Sequence, residues 1–311
     1  MDEESVSRLK YTIVIGNGFD LDLQFKTRYS DFVESQEWAD MYKRRSKQIK
    51  HYSLLQYLNG KRYIDEWFDI EAALLEYVSM KRNGSFVNNA DEDKEDYRLI
   101  CQALEDYLTN HLKHSIHSLE STCAGRLLKA ICRESDWTYK RFYSFNFTPI
   151  DLYDRMLDNL HESRPNYLHG EIVNHSVILG IEVPNIKDMA PGYSFLIKSN
   201  NPSYRSSEIS ADLLKSQEVI IFGHSMNDID MGYFEEYFKM MESNTDRNKR
   251  ITFVTYNDLS KQQIFDNLRR NGVSVQLLFT HCAVDSIRTN NIYNFENSND
   301  SFVFDELVKR L

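Results

Sequence analysis

Asn146 and His169 are the residues whose types and settings point most directly to chemistry. Each sits at the end of a short apolar run, Arg141-Phe-Tyr-Ser-Phe-Asn146 and Tyr167-Leu-His-Gly170. A neutral imidazole suits general-base work near neutral pH, and a carboxamide can orient a water or a sugar hydroxyl. The plainer readings stay open beside these: a strand-end histidine satisfied within the core, and an asparagine that forms a turn. Two glycine-containing turns accompany them. Gly16-Asn17-Gly18 is followed by Phe19 and Asp20, and Gly223-His224-Ser225 closes a later apolar run. Glycines one residue apart let the backbone turn tightly and bring N–H groups near a ligand phosphate. A third small residue would be needed at Leu21 for the dinucleotide fingerprint, so G-x-G alone is weak.

Three acids, Asp69, Glu71 and Asp230, complete the candidates. Asp69 and Glu71 lie at a helix start, where negative charge is favoured. Glu71 shares the apolar face of Trp67, Leu74 and Leu75, so it lines a pocket or needs an internal salt-bridge partner. Asp228 and Asp230 open another helix and are expected as its caps. His111, His114 and His117 recur every third residue and drift around a helix with no acid or cysteine to complete a shell, so no metal site is expected. Adjacent His224 and Ser225 point apart and lack a G-x-S-x-G elbow, which sets a serine hydrolase aside.

These residues must be positioned by a sheet. Tyr11-Thr-Ile-Val-Ile15 is a continuous apolar run entering a glycine turn, as expected for a strand buried on both faces. Similar runs recur at Phe142–Phe145, Val177–Leu179, Val219–Phe222, Ile251–Thr255 and Val273–Leu278, with helical spacing between them. Helices are expected through Pro149–Leu157, through Phe234 and Phe238, from Leu259 to Arg270, and in the tail from Phe302. The alternation predicts an α/β fold: a doubly wound, mostly parallel, Rossmann-like sheet. Between Phe32 and Asp136 the strand pattern disappears, and a large helical insertion after the first strand is expected, its second helix opened by an exposed loop at Asn88–Glu95. Thr27 or Ser30 is expected to cap the helix entering it. The expected organisation is a nucleotide-binding core at 8–31 and 137–290, an insertion at 32–136, and a tail with a short helix at 291–311.

Composition narrows the partners. The 311 residues carry a formal net charge of -10, with 41% hydrophobic and 27% charged residues. That charge argues against broad binding to nucleic acid or an anionic membrane, while leaving room for a local basic patch. Four cysteines without a C-x-x-C pair support neither zinc nor a disulfide framework, and free thiols in a cytoplasmic setting are expected. From the polar start no signal peptide is expected, and no run reaches the roughly 18 apolar residues of a membrane span.

Six motifs in order carry a resemblance: Gly16-Asn-Gly-Phe-Asp-Leu21, Thr27-x-Tyr29-Ser-Asp-Phe32, Trp67-x-Asp69-Ile-Glu71, Phe145-Asn-Phe-Thr148, His169-Gly170 and Gly223-His-Ser-Met-x-x-x-Asp230. On these the chain resembles the bacteriophage abortive-infection AbiH family. Gln24-Phe25-Lys26 departs from that family's usual Gly-Leu-Pro, and 180–207 carries no matching motif. The series is also distantly similar to sirtuin-type NAD-binding domains, without their four-cysteine zinc module. The resemblance implies an antiphage effector with Gly16, Asn17, Gly18, Phe19, Asp20, Thr27, Tyr29, Gly223, His224 and Ser225 around a nucleotide, and Asn146 and His169 catalytic. NAD is then substrate or ligand, with no cofactor held permanently, and hydrolysis of the nicotinamide–ribose bond is the expected activity. The alternatives are a non-catalytic sensing or partner-binding module, working as a homo-oligomer or with another defence protein, and a metal-dependent nuclease using Asp20, Asp22, Asp69 and Glu71.

Overall fold

The computed structural model describes residues 9–63, 68–84, 89–112, 121–133, 137–149, 165–183, 189–204, 207–244, 248–294 and 298–311. Six strands, β1 (Tyr11–Ile15), β2 (Lys140–Ser144), β3 (Asn166–Tyr167), β4 (Glu218–Phe222), β5 (Arg250–Thr255) and β6 (Ala283–Arg288), form one sheet ordered β3-β2-β1-β4-β5-β6. Every pairing is parallel, and Ile15 lies level with Ser144 on one side and Phe222 on the other. The chain order therefore reverses between β1 and β4. Ile13, Val14 and Ile15 are fully buried, as the continuous apolar run requires, each contributing about 1.5–3 kcal/mol of burial.

The described helices are α1 (Asn17–Asp22), α2 (Tyr29–Val33), α3 (Gln36–Arg45), α4 (Leu54–Lys61), α5 (Ile70–Arg82), α6 (Ala90–Leu112), α7 (Cys123–Arg133), α8 (Ser207–Lys215), α9 (Glu235–Ser243), α10 (Asp258–Arg270), α11 (Val275–His281), α12 (Thr289–Tyr293) and α13 (Ser298–Arg310). Helices cover both faces of the sheet. The Tyr11 hydroxyl donates to the Arg310 carbonyl at 2.6 Å, while Thr12 Oγ1 lies 2.6 Å from Ser216 Oγ just beyond α8. Successive strand residues face opposite sides, so α13 and α8 lie on opposite layers. None of the described helices is long and apolar enough to cross a membrane.

Contacts divide the chain into two compact units. The first takes 1–24, 116–168 and 205–311 and holds the sheet; the second takes 25–115 and 169–204. Helix α7 thus clusters with the sheet, and 169–204 with the helical segment. No described residue between 32 and 136 joins the sheet. In the second unit α6 packs along α3 and α4. Its Asp93 and Asp96 accept from the N–H groups of Leu54 and Leu55 at 2.7 and 3.0 Å, capping α4. Asp93 also takes the hydroxyls of Tyr77 and Tyr193 and lies 3.3 Å from Lys81 Nζ.

Four local expectations are corrected. Val273–Leu278 is not a strand: Ser274 caps α11 through Leu277 N–H, and the last strand is the more polar Ala283–Arg288. Val177–Gly180 lies outside the sheet, with Ile181 bridging Ile197 instead. Neither Thr27 nor Ser30 caps α2, whose N-cap is Arg28 with Asp31 accepting its N–H at 3.3 Å. The acidic stretch at 88–95 is largely the first turns of α6, and Asp93 there is fully buried. The helix expected at Pro149–Leu157, Trp67, His114 and His117 lie outside the described residues, Pro149 excepted.

Candidate functional site

In the first unit the two glycine turns meet backbone to backbone at the carboxyl ends of β1 and β4. Gly16 N–H donates to Phe222 O at 3.0 Å, Gly18 N–H to Gly223 O at 2.9 Å, and Phe19 N–H to Gly16 O at 2.9 Å. A Cβ on Gly18 would stand 2.6 Å from Gly223 Cα, and one on Gly223 would stand 2.4 Å from Gly18 C. Gly223 also has φ +66°, where side chains are strained. Both glycines are therefore required by close packing of the chain on itself. Phe19 is buried edge-on against Phe222, with ring centroids 5.2 Å apart.

Asn146, beyond β2, braces this junction. Its Nδ2 donates to Gly16 O at 3.0 Å and its own N–H donates to Ser144 Oγ at 3.1 Å. Asp20, 1% exposed in the first turn of α1, accepts from the Thr148 hydroxyl, while Tyr167 donates to the Thr148 carbonyl at 2.9 Å. His224 lies against Phe145 at 4.2 Å and accepts from Met226 N–H at Nδ1, 3.0 Å away. The ring proton is then on Nε2, which faces Asp230 Oδ2 at 3.4 Å. Asp230 thus meets His224; as the residue before a short 3-10 turn, it makes no side-chain cap. Asn17 and Ser225 are the exposed side chains of the two turns. The result is a polar edge where the strand order reverses.

His169 belongs to the second unit, as do Thr27, Tyr29, Asp69 and Glu71. Thr27 and Tyr29 are half-buried at the start of α2. Asp69 caps α5, its Oδ1 accepting from Glu71 N–H at 2.9 Å and from Ala72 N–H at 3.3 Å. That cap turns Glu71 inward. Its carboxylate meets Lys198 Nζ at 3.0 Å and the Gly180 N–H at 3.4 Å. Lys198 is 1% exposed, and its Nζ also lies 3.3 Å from His169 Nε2. Nearby, Tyr97 donates to Leu179 O at 2.7 Å, and burial pushes the Cys101 thiol up to about 12. The second unit thus holds a buried Glu71–Lys198–His169 chain. Lys198 was absent from the sequence candidates because it stands in a polar stretch with no motif; the demand of Glu71 for a partner was the one signal toward it.

The acids of the nuclease reading have separate tasks. Asp22 accepts from Ala124 N–H at 2.7 Å and Tyr293 OH at 2.8 Å, and burial raises its carboxyl above the ordinary range. Asp69 caps a helix and Glu71 pairs with Lys198. Among the described residues no three His, Cys, Asp or Glu side chains are grouped to hold a metal ion. His111 Nδ1 lies 3.0 Å from Tyr107 O.

Searches among curated proteins and among solved structures each returned no match. Comparison with protein families matches residues 12–256 to bacteriophage abortive infection AbiH, a span that contains both glycine turns, Asn146, His169 and Lys198. The chain belongs to the AbiH family of bacteriophage abortive infection proteins, which places it in defence against phage.

Proposed function

We propose that the protein is a defence effector that binds NAD or a related nucleotide at the carboxyl edge of its sheet and hydrolyses the nicotinamide–ribose bond. One observation carries this reading. The strand order 3-2-1-4-5-6 is that of doubly wound dinucleotide folds, and such sheets take ligands where the order reverses. Here the reversal falls between β1 and β4, beneath Gly16–Gly18 and Gly223–Ser225. Asn17 and Ser225 offer polar side chains there, and Asn146 and Asp20 stand behind them. Because three N–H groups of the first turn are engaged internally, the ligand is held mainly by side chains.

Departure of nicotinamide proceeds through an oxocarbenium-like state, which demands an oriented nucleophile and exclusion of bulk water more than covalent help. Asn146 in the first unit and His169 in the second are each a candidate for the chemistry, to be tested singly. The test is incubation of the purified chain with NAD, ATP and nucleic acid, with products resolved by chromatography. Free nicotinamide supports the reading; nicked nucleic acid overturns it in favour of a nuclease.

A second reading, a nucleotide sensor without turnover, is favoured by the burial of the chemical groups. Asn146 and His169 are 6% and 4% exposed. NAD bound and recovered intact selects the sensor.

A further inference from the structure

We infer, on the reading of the sheet's carboxyl edge as a nucleotide site, that Tyr256 is the platform on which the adenine base of the nucleotide stacks. Tyr256 follows β5 directly and is 60% exposed, with Leu259 three residues on at 79%. Among the described residues its ring meets no other ring or cation and its hydroxyl makes no hydrogen bond. Val254 and Thr255 before it are 0% and 2% exposed. Single bare aromatics are ordinary on a surface. This one stands at the end of a buried parallel strand, the edge where such sheets take ligands, and every base has a π-face to lay on such a ring.

The backbone beneath the ring is held from several sides. Gly223 N–H donates to Val254 O at 2.9 Å, tying the second glycine turn to β5 two residues before Tyr256. Asn290 N–H donates to Tyr256 O at 2.9 Å. Asn257 Oδ1 accepts from Ser260 N–H at 2.9 Å and so caps α10 immediately after the ring. Helix α10 in turn holds the glycine turn, Asn267 Nδ2 donating to Ser225 O at 2.9 Å. Tyr256 and Ser225 therefore stand on one frame, and little backbone freedom is lost when a base lands there.

The strand order supplies the span. Asn146 follows β2 and Tyr256 follows β5, so both lie in the first unit and flank the reversal in the order β2-β1-β4-β5. Three strand spacings, about 14–15 Å, separate those strand ends. One dinucleotide then lies across the edge, its nicotinamide end toward Asn146, its adenine on Tyr256, and its sugars and phosphates over the glycine turns. Stacking asks for neither charge nor a backbone N–H, which suits turns whose N–H groups are already engaged.

The experiment is calorimetric titration of the full chain, Tyr256→Ala and Tyr256→Phe with three probes. These are AMP and the carbocyclic analogues of NAD and of nicotinamide mononucleotide, whose nicotinamide bonds resist cleavage. Tyr256→Ala should weaken the NAD analogue and AMP by about 5- to 150-fold and leave the mononucleotide analogue, which lacks adenine, within about twofold of the parent. Tyr256→Phe keeps the ring and should match the parent with every probe. Both variants should melt with the parent, because the side chain is exposed. Equal weakening of both analogues in Tyr256→Ala puts the ring at the other end of the ligand and overturns the assignment. So does a loss in Tyr256→Phe as large as that in Tyr256→Ala, which would make the contact a hydroxyl hydrogen bond. Undiminished binding of the NAD analogue by Tyr256→Ala overturns the stacking and leaves the nucleotide reading standing. A parent that binds none of the three overturns both.

Discussion

Replacing Gly18 by alanine tests whether the first glycine turn exists to let two backbones touch. The added Cβ would lie 2.6 Å from Gly223 Cα and 3.0 Å from Gly223 O. Relief requires the turns to separate, at about 1–3 kcal/mol for overpacking. Separation also stretches the 2.9 Å bond from Gly18 N–H to Gly223 O, worth about 0.5–1.5 kcal/mol. The total is about 1.5–4.5 kcal/mol, or roughly 3–18 °C in melting temperature for a unit of this size. Gly223→Ala should cost more, since its φ of +66° adds about 1–2 kcal/mol. The double variant should lose less than the sum, because both methyl groups compete for one gap. Gly232→Ala is the control, with nothing within 4 Å of its added Cβ. Urea unfolding followed by circular dichroism reads all four. A Gly18→Ala protein within 0.5 kcal/mol of the parent would refute the packing argument and return these glycines to a ligand. Bulkier replacements at Gly18 would report unfolding before nucleotide affinity.

Three further outcomes are expected. Lys198→Met should destabilise the protein by about 3–5 kcal/mol by stranding the Glu71 carboxylate, and Glu71→Gln/Lys198→Met should recover much of that loss in the same unfolding assay. Because burial raises Asp22 above 3.8, the folded state retains a proton the unfolded chain releases, so this group's contribution to stability falls as pH rises from 3.8 through the raised value. Asp22→Asn removes that fall, and its stability relative to the parent should improve between acidic and neutral pH in paired melts. His169→Ala should reduce nicotinamide release by about 10²–10³ while changing NAD affinity far less, read by product chromatography beside a binding titration.

The parallel core was legible because β1, β4 and β5 are fully or nearly fully buried, and such strands read as largely apolar runs. The edge strand β6 was not. Its Ala283-Val-Asp-Ser-Ile-Arg288 mixes polar and apolar residues, while the more apolar Val275–His281 folds as a helix behind its serine cap. Strand β3 spans two residues, too few to show a period. Charge misled in the second unit: the acidic run before α6 reads as a solvated loop, yet Asp93 and Asp96 are buried because they cap α4 and meet Lys81 and Arg45. At the site, Gly16, Gly18, Gly223 and Asn146, each a candidate from the sequence, lie together in the structure. Sequence spacing could not show that the glycines pack on one another, since close backbone approach to a ligand and to the chain itself demand the same residue. Lys198 escaped because a buried salt bridge between residues 127 positions apart leaves no local pattern.

What the purified chain does to NAD tests the proposed function most directly. Parent protein incubated with NAD should release free nicotinamide and ADP-ribose, with release lost in Asn146→Ala and His169→Ala proteins that melt as folded. NAD that remains intact and unbound by the parent across the same incubation would contradict it.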